Sequence, residues 1–392
     1  MNVNRNSLIS GLSYALDIAG KNNLSHSKST AYLSVMLANE IGFNEGDILS
    51  IYYTALLHDI GVSDEFLLGQ KYALDMKRHC IIGSEMLEKL PLPPGIPENV
   101  LYHHEYYDGS GQFGLSGEAI PKGAQIVGFS SVFDDVFGKM NFFDRDLFAK
   151  ITNWIDHSRS LYSGEIVDAF SVLTEREYFL LEYFNLETKY TLTNKLIFHD
   201  NVYLNGEDIK KFALCFADII DQRSPFTFHH STGIASLAEK AAAYLGYDEE
   251  VQYKMYIAGL LHDIGKLDVL PDILNKEGQL TPEERFEINK HTYFTRKILE
   301  QIQGFEEITN IAANHHEKLD GSGYPYRLTD TQLTELEKLM AICDVYQALT
   351  EERPYRASMS FEKAWGIIED MVKRKLLDEP LSEKMKHMLR HD

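Results

Sequence analysis

"GLLHDIGK", residues 259–266, follows "ALLHDIG", residues 55–61, by 204 positions. The same displacement joins His26 to His230, Gly42 to Gly246 and Asn44 to Asp248. Further along it becomes 212, joining His79 to His291, His103 to His315 and His104 to His316. The second copy therefore carries eight extra residues after "HDIGK", within "LDVLPDILNKEGQLTPEE". One domain fold is used twice, with one loop enlarged.

Both copies read as helical. Val251, Met255, Ala258 and His262 share one helix face, with Asp248 as N-cap and Asn44 as its counterpart. Leu333, Leu336, Met340 and Asp344 share a face in another helix. "TEREYFLLEYF" opens with Thr174 and Glu177 at capping-box spacing. Residues 8–18 match residues 212–222, the first helix of the second copy. Residues 187–206, "ETKYTLTNKLIFHDNVYLNG", are rich in Thr, Asn and Tyr and read as a linker with a short hairpin. The expectation is an all-α chain of two tandem domains, 1–186 and 207–392, around that linker.

Bulk properties narrow the partners. At 392 residues the chain is long for one core. Its net charge of −21 disfavours general nucleic-acid binding, although a small anion held by local positive charge is compatible with it. Cys80, Cys215 and Cys343 are too few and too scattered for a disulfide framework, which suits a reducing cytoplasm. No apolar run is long enough for a membrane span. Asp17 interrupts the apolar N-terminal segment, so a leader peptide is not expected.

The chemistry lies on the core faces. A lone histidine such as His262 is most often a hydrogen-bonded core residue, but Asp344 on an apolar face is costly to bury unpaired. His230, His262, Asp263, His291, His315, His316 and Asp344 together offer imidazoles and carboxylates without thiolates. That set suits iron, manganese, nickel or zinc. His262-Asp263 and His315-His316 each precede a glycine closely, which puts them near helix ends, where diverging neighbours can wrap one centre. A carboxylate such as Asp263 can bridge two ions, which favours a paired site.

"HDIGK", "NKH", "HHEKLDGSGYP", "AICDVYQALT" and "RPYR" together closely resemble the HD-GYP family of HD-superfamily phosphohydrolases, over about residues 208–365. The resemblance implies an all-α fold with a metal centre that hydrolyses cyclic dinucleotides, cyclic di-GMP or 3′,3′-cyclic GMP-AMP. It implies one ion held by His230, His262, Asp263 and Asp344. A second would take His291, His315 and His316, with Asp263 bridging. Iron or manganese is expected ahead of nickel or zinc. Lys266 would contact a substrate phosphate; Gly323, Tyr324 and Pro325 would shape the pocket or a partner-facing surface. Arg353 and Arg356 are candidates for phosphate or base contacts, since guanidinium forks match phosphate. Three-metal members carry a glutamate four residues before the histidine matching His230; here Phe226 stands there, so two ions are expected. A GGDEF-type protein is an expected partner, and the oligomeric state is left open.

The first copy keeps His26, His58, Asp59, His79, His103 and His104. Val62 replaces the lysine, Gln112-Phe113 replace Tyr-Pro, and Ser131 stands where Asp344 does. It reads as a degenerate, regulatory domain, with retained metal or nucleotide binding open. The expected activity is metal-dependent hydrolysis of a cyclic dinucleotide to a linear product, with further cutting to mononucleotides open. The alternatives are a non-cutting nucleotide sensor and a nucleotidase acting on mononucleotides.

Overall fold

The computed structural model describes residues 1–20, 25–61, 72–140, 144–185, 200–222, 230–276, 278–351 and 358–391. Val62, Phe226, Arg353, Arg356 and residues 187–199 of the expected linker lie outside the described residues. The fold is all-α. Among the described residues the only sheet pairs Val3–Asn4 with Tyr203–Leu204, antiparallel, Val3 opposite Leu204.

The chain divides into two compact units, Leu16–Val202 and Met1–Ala15 with Tyr203–Asp392. This corrects the expected first boundary. The N-terminal strand pairs with Tyr203–Leu204, and Ser7 Oγ accepts from the Gln303 N–H at 2.8 Å, so the first fifteen residues belong with the second copy. Of the span 187–206, in which a short hairpin is expected, residues 200–206 are described, and there Tyr203–Leu204 pair with Val3–Asn4.

Within each unit the repeated sequence builds repeated helices. His26–Ile41 and Glu45–Leu57 in the first correspond to His230–Tyr244 and Glu249–Leu261 in the second. Gly42 and Gly246, at φ +94° and +84°, end the leading helix of each pair in a conformation that favours glycine. Asn44 and Asp248 then accept from the backbone N–H three residues on and start the next helix, as the sequence predicts. Tyr72–Leu87, Ile96–Tyr102 and Lys122–Phe137 correspond to Pro282–Leu299, Glu306–Ala313 and Glu335–Thr350. Asp17 and Asp221 are buried and accept from the Ser27 and Ser231 N–H groups at 2.8 and 3.2 Å. The acid that interrupts the N-terminal apolar run thus satisfies a helix start.

Two local expectations fail. Thr174 does not cap the helix Glu177–Tyr183; its hydroxyl donates to the Ser171 carbonyl and closes Gly164–Thr174 instead. Leu333 precedes the helix Glu335–Thr350, whose start is capped by Thr334 with Glu337. In the first unit Phe129, Phe133, Phe137, Phe170, Phe179 and Tyr183 pack as one aromatic core behind the histidines.

Candidate metal centre

The helix Glu249–Leu261 ends at His262, and Asp263 at φ −101°, ψ 8° leaves helical geometry. This change of direction lets neighbouring side chains face one point, as their position before Gly265 suggested. Nδ1 of His262 donates to the Gly259 carbonyl at 2.8 Å, Nδ1 of His291 to Ile288 at 2.6 Å, and Nδ1 of His315 to Ala312 at 2.6 Å. Each bond fixes the ring and leaves Nε2 as the free acceptor.

Asp263 lies in the middle. Its Oδ1 is 3.3 Å from Nε2 of His291 and 3.9 Å from Nε2 of His315; its Oδ2 is 3.2 Å from Nε2 of His262 and 4.0 Å from Nε2 of His230. Asp344, from the helix Glu335–Thr350, is 4.0 Å from His230 and 3.7 Å from His316. Three overlapping groups, His230/His262/Asp344, His262/Asp263/His315 and His291/His315/His316, keep their donor atoms within 4.8 Å. All seven histidines and acids read from the sequence meet here.

The donors fit a cation. His262 Nε2 and Asp263 Oδ1 are buried and make no hydrogen bond of normal geometry among the described residues. The Nε2 atoms of His291 and His315 face each other at 3.4 Å, and Oδ1 faces the first of them. Acceptors crowded without donors repel, and unsatisfied buried polar groups are costly. A bound divalent cation would resolve both, and imidazole nitrogen with carboxylate oxygen is a donor set that transition-metal ions take.

Lys266, expected on substrate phosphate, hydrogen-bonds Asp263 Oδ2 here, with its side chain 18% exposed. Tyr324 borders the histidines, its ring 4.9 Å from that of His316 and 6.3 Å from that of His291. Gly323 packs on the backbone of Glu317 and Lys318. Glu317, the acid after the paired histidines, accepts from the Tyr326 and Leu328 N–H groups at 2.8 and 2.9 Å and so clamps the turn that holds Tyr324 and Pro325.

Sequence reasoning assigned no role to Glu317, Glu351 or Thr295. Glu351 accepts from Nδ1 of His230 at 2.8 Å; it lies two helical turns after Asp344, a spacing that would have found it. Such a carboxylate orients a ligating imidazole and raises its basicity. Thr295 accepts from the Gly265 N–H and donates to the His262 carbonyl, at 3.1 and 2.9 Å. It lies one turn beyond His291, but nothing in the sequence sets it apart.

The first unit builds the same constellation. Asp59 Oδ1 is 3.5 Å from Nε2 of His79, and Oδ2 lies 3.5 and 3.8 Å from Nε2 of His58 and His26. Nδ1 of His58 donates to Ala55 and that of His103 to Val100, at 2.8 and 2.6 Å. The His104 ring centroid lies 4.0 Å from that of His103. Ser131 lies among them, its Oγ 3.4 Å from Nε2 of His26 and 3.3 Å from Nε2 of His58. Glu105 repeats the clamp of Glu317, accepting from the Phe113 and Leu115 N–H groups at 2.7 and 2.6 Å.

A family model described as an HD domain matches residues 15–146 and again residues 215–381. The chain belongs to the HD domain family. Its His-Asp pairs are His58-Asp59 and His262-Asp263, one per HD domain. Over 393 aligned residues it is 30% identical to 3′3′-cGAMP-specific phosphodiesterase 1 of Vibrio cholerae, with 96% of this chain and 90% of that protein covered. Cyclic di-GMP phosphodiesterase PA4108 of Pseudomonas aeruginosa is 36% identical over 145 residues, 37% of this chain and 34% of that protein. The crystal structure of a cyclic GMP-AMP-specific phosphodiesterase of V. cholerae (V-cGAP3) superposes with a TM-score of 0.73 at 21% identity, covering 100% of this chain and 98% of that one. At that identity it speaks for the fold, two helical HD domains in tandem. No helix of the described residues is long and apolar enough to cross a membrane.

Protonation follows burial. Burial lowers His291 to about 4 and His315 to about 3, and holds His316 well below the ordinary imidazole range. Burial likewise depresses His58, His79, His103 and His104. In Asp263 burial pushes the carboxyl up, but His262 and Lys266 outweigh it and hold the group well below its ordinary value. His26 and His262 are raised: burial opposes this, but Asp134 and Asp59 prevail at the first and Asp263 at the second. A histidine depressed in the fold leaves the unfolded chain binding more protons below about pH 6.5, so stability falls as pH falls. The raised histidines, and Asp17 and Asp221, which burial lifts to about 6, act the other way but are fewer. Each depressed histidine costs up to about 1.4 kcal/mol per pH unit below 6.5. The thermal midpoint of the metal-free chain is therefore expected to drop steadily from pH 7 to pH 5; a flat or rising midpoint contradicts the neutral assignment.

Proposed function

We propose that the chain is a metal-dependent phosphodiesterase that opens a cyclic dinucleotide, 3′3′-cGAMP in the first instance, to a linear dinucleotide. The observation that carries this reading is the crowd of buried acceptors around Asp263, where Oδ1 makes no hydrogen bond and the Nε2 atoms of His291 and His315 face each other. The choice of 3′3′-cGAMP is supported by relatives of that name that align along both HD domains, over 96% and 77% of this chain. The matched cyclic di-GMP phosphodiesterases align over shorter stretches, 37% in one case and 38% in another.

His230, His262, Asp263 and Asp344 would hold one ion, and His291, His315 and His316 the other, with Asp263 shared. When bound, divalent ions supply charge neutralisation at the phosphodiester and an acidified water. The residues do the rest. The backbone-anchored Nδ1 groups keep the rings from turning, and Glu351 does the same for His230. With a net charge of −21 the chain repels anions at long range, so Lys266 at the edge of the site is the local cation that receives a phosphate oxygen. Tyr324 offers a flat ring beside His316 for a base or ribose. Arg353 and Arg356 are proposed for the remaining phosphate. The first HD domain is proposed to regulate the second. A truncation that isolates the second unit must keep residues 1–15, whose strand Val3–Asn4 pairs with Tyr203–Leu204.

The test is direct. The full-length chain, reloaded anaerobically with iron or manganese, is incubated separately with 3′3′-cGAMP, cyclic di-GMP and mononucleotides, and the products are separated. A linear dinucleotide from 3′3′-cGAMP, formed faster than from cyclic di-GMP, is expected. Binding without product would make the chain a sensor, and phosphate released only from mononucleotides would make it a nucleotidase.

A further inference from the structure

We infer that the first HD domain is itself a metal site, holding one divalent transition-metal ion on Asp59, His79, His103 and His104. Two observations carry this, one on each side of Asp59.

On the side of Oδ1 the geometry of the second domain is repeated. Nε2 of His79 and of His103 lie 3.4 Å apart, as do those of His291 and His315. Asp59 Oδ1 stands 3.5 Å from His79, where Asp263 Oδ1 stands 3.3 Å from His291. The rings of His103 and His104 are 4.0 Å apart, those of His315 and His316 4.1 Å. His103, 1% exposed, spends its only N–H on the Val100 carbonyl, so its Nε2 faces the centre as an acceptor. Cys80 Sγ lies within 4.8 Å of donor atoms of His79, His103 and His104. It approaches His103 at 4.0 Å from Nδ1, however, the nitrogen bonded to Val100, so the fourth donor is assigned to Asp59. Three imidazoles and one carboxylate without thiolate select a transition metal over magnesium or calcium.

On the side of Oδ2 the protein has closed the place of the other ion. Nε2 of His26 and His58 approach to 3.2 Å, and the Ser131 hydroxyl lies within hydrogen-bonding reach of both. Here a donor exists: a hydroxyl stands where Asp344 presents a carboxylate in the second domain, and its one proton satisfies one of the two facing nitrogens without a cation. Nδ1 of His26 donates to Asp134 at 2.9 Å, and Asp134 also accepts from the Tyr183 hydroxyl at 2.5 Å. With Ser131 in place of a second acid, Asp59 is the carboxylate that faces the Nε2 atoms, while Asp134 and Asp135 face Nδ1 of His26 instead. One ion is matched by Asp59 far better than two.

Such an ion ties the turn after Glu45–Leu57 to the helix Tyr72–Leu87 and to the loop after Ile96–Tyr102. It would act as a staple, since the lysine of "HDIGK" is Val62 here and no partner ion shares Asp59.

The experiment counts metal and does not depend on turnover. Full-length protein is stripped, reloaded anaerobically with cobalt(II), desalted, and read by elemental analysis and visible absorption. His103→Ala is expected to lose one equivalent per chain relative to the unaltered protein. His315→Ala, in the second domain, is expected to keep one tightly bound equivalent with a ligand-field spectrum that His103→Ala lacks. Unchanged cobalt in His103→Ala, or none retained in His315→Ala, overturns the inference. Should His103→Ala fail to fold, His104→Gln, at a partly exposed position, repeats the measurement: loss of one equivalent supports the site and unchanged cobalt overturns it. Loss of hydrolysis in the second domain would leave these counts untouched.

Discussion

Asp263→Asn is expected to abolish cyclic dinucleotide hydrolysis, lowering kcat by about 10³-fold or more, while the chain stays folded. Both oxygens of Asp263 are engaged: Oδ1 faces His291 and His315, and Oδ2 faces His262, His230 and Lys266. Asparagine keeps the volume but turns one oxygen into a donor and removes the charge. The two sets of histidines then lose the carboxylate that both face, and the Lys266 ammonium loses its ion-pair partner. Product formation and metal content, measured on the same preparation, check this. A variant with full metal and activity within tenfold of the unaltered chain would remove Asp263 from the centre of the site.

Gly265→Ala is expected to be the most destabilising single methyl in the second domain, costing roughly 3 kcal/mol. A Cβ at Gly265 would stand 1.9 Å from the His291 carbonyl oxygen and 2.6 Å from the Thr295 nitrogen. Both are backbone atoms, so no rotamer relieves the overlap; the helix Pro282–Leu299 must move away and carry His291 from Asp263. Thermal unfolding should shift down by about 6–12 °C for a unit of this size, and kcat should fall with it. An unfolding midpoint within a degree of the unaltered chain would contradict so close a packing. Gly61→Ala tests the counterpart, where the Cβ would stand 2.2 Å from the His79 carbonyl oxygen.

The glycine of "HDIG" shows how far the sequence was legible. Its presence in both copies marked a helix end, but its tertiary reason, a backbone lying against it from about thirty residues along the chain, left no local trace. Glu317 is similar: it sits within the histidine motif, yet its role emerges only because the Tyr326 and Leu328 amides point at it. Thr174 is the opposite case. Its spacing to Glu177 met the capping rule, yet the hydroxyl closed the preceding helix, because short-range patterns do not say which of two adjacent helices a residue serves.

From the sequence alone came the duplication, the all-α class, the caps at Asn44 and Asp248, and the histidines and acids that converge in each copy. These are legible because they rest on local backbone demands and on residue chemistry, which the chain states position by position. Tertiary structure alone decided that residues 1–15 join the second copy, and that the Ser131 hydroxyl reaches both His26 and His58. Those facts depend on which groups packing brings within hydrogen-bonding reach across separations of 73 to 296 positions, a range that no spacing rule spans.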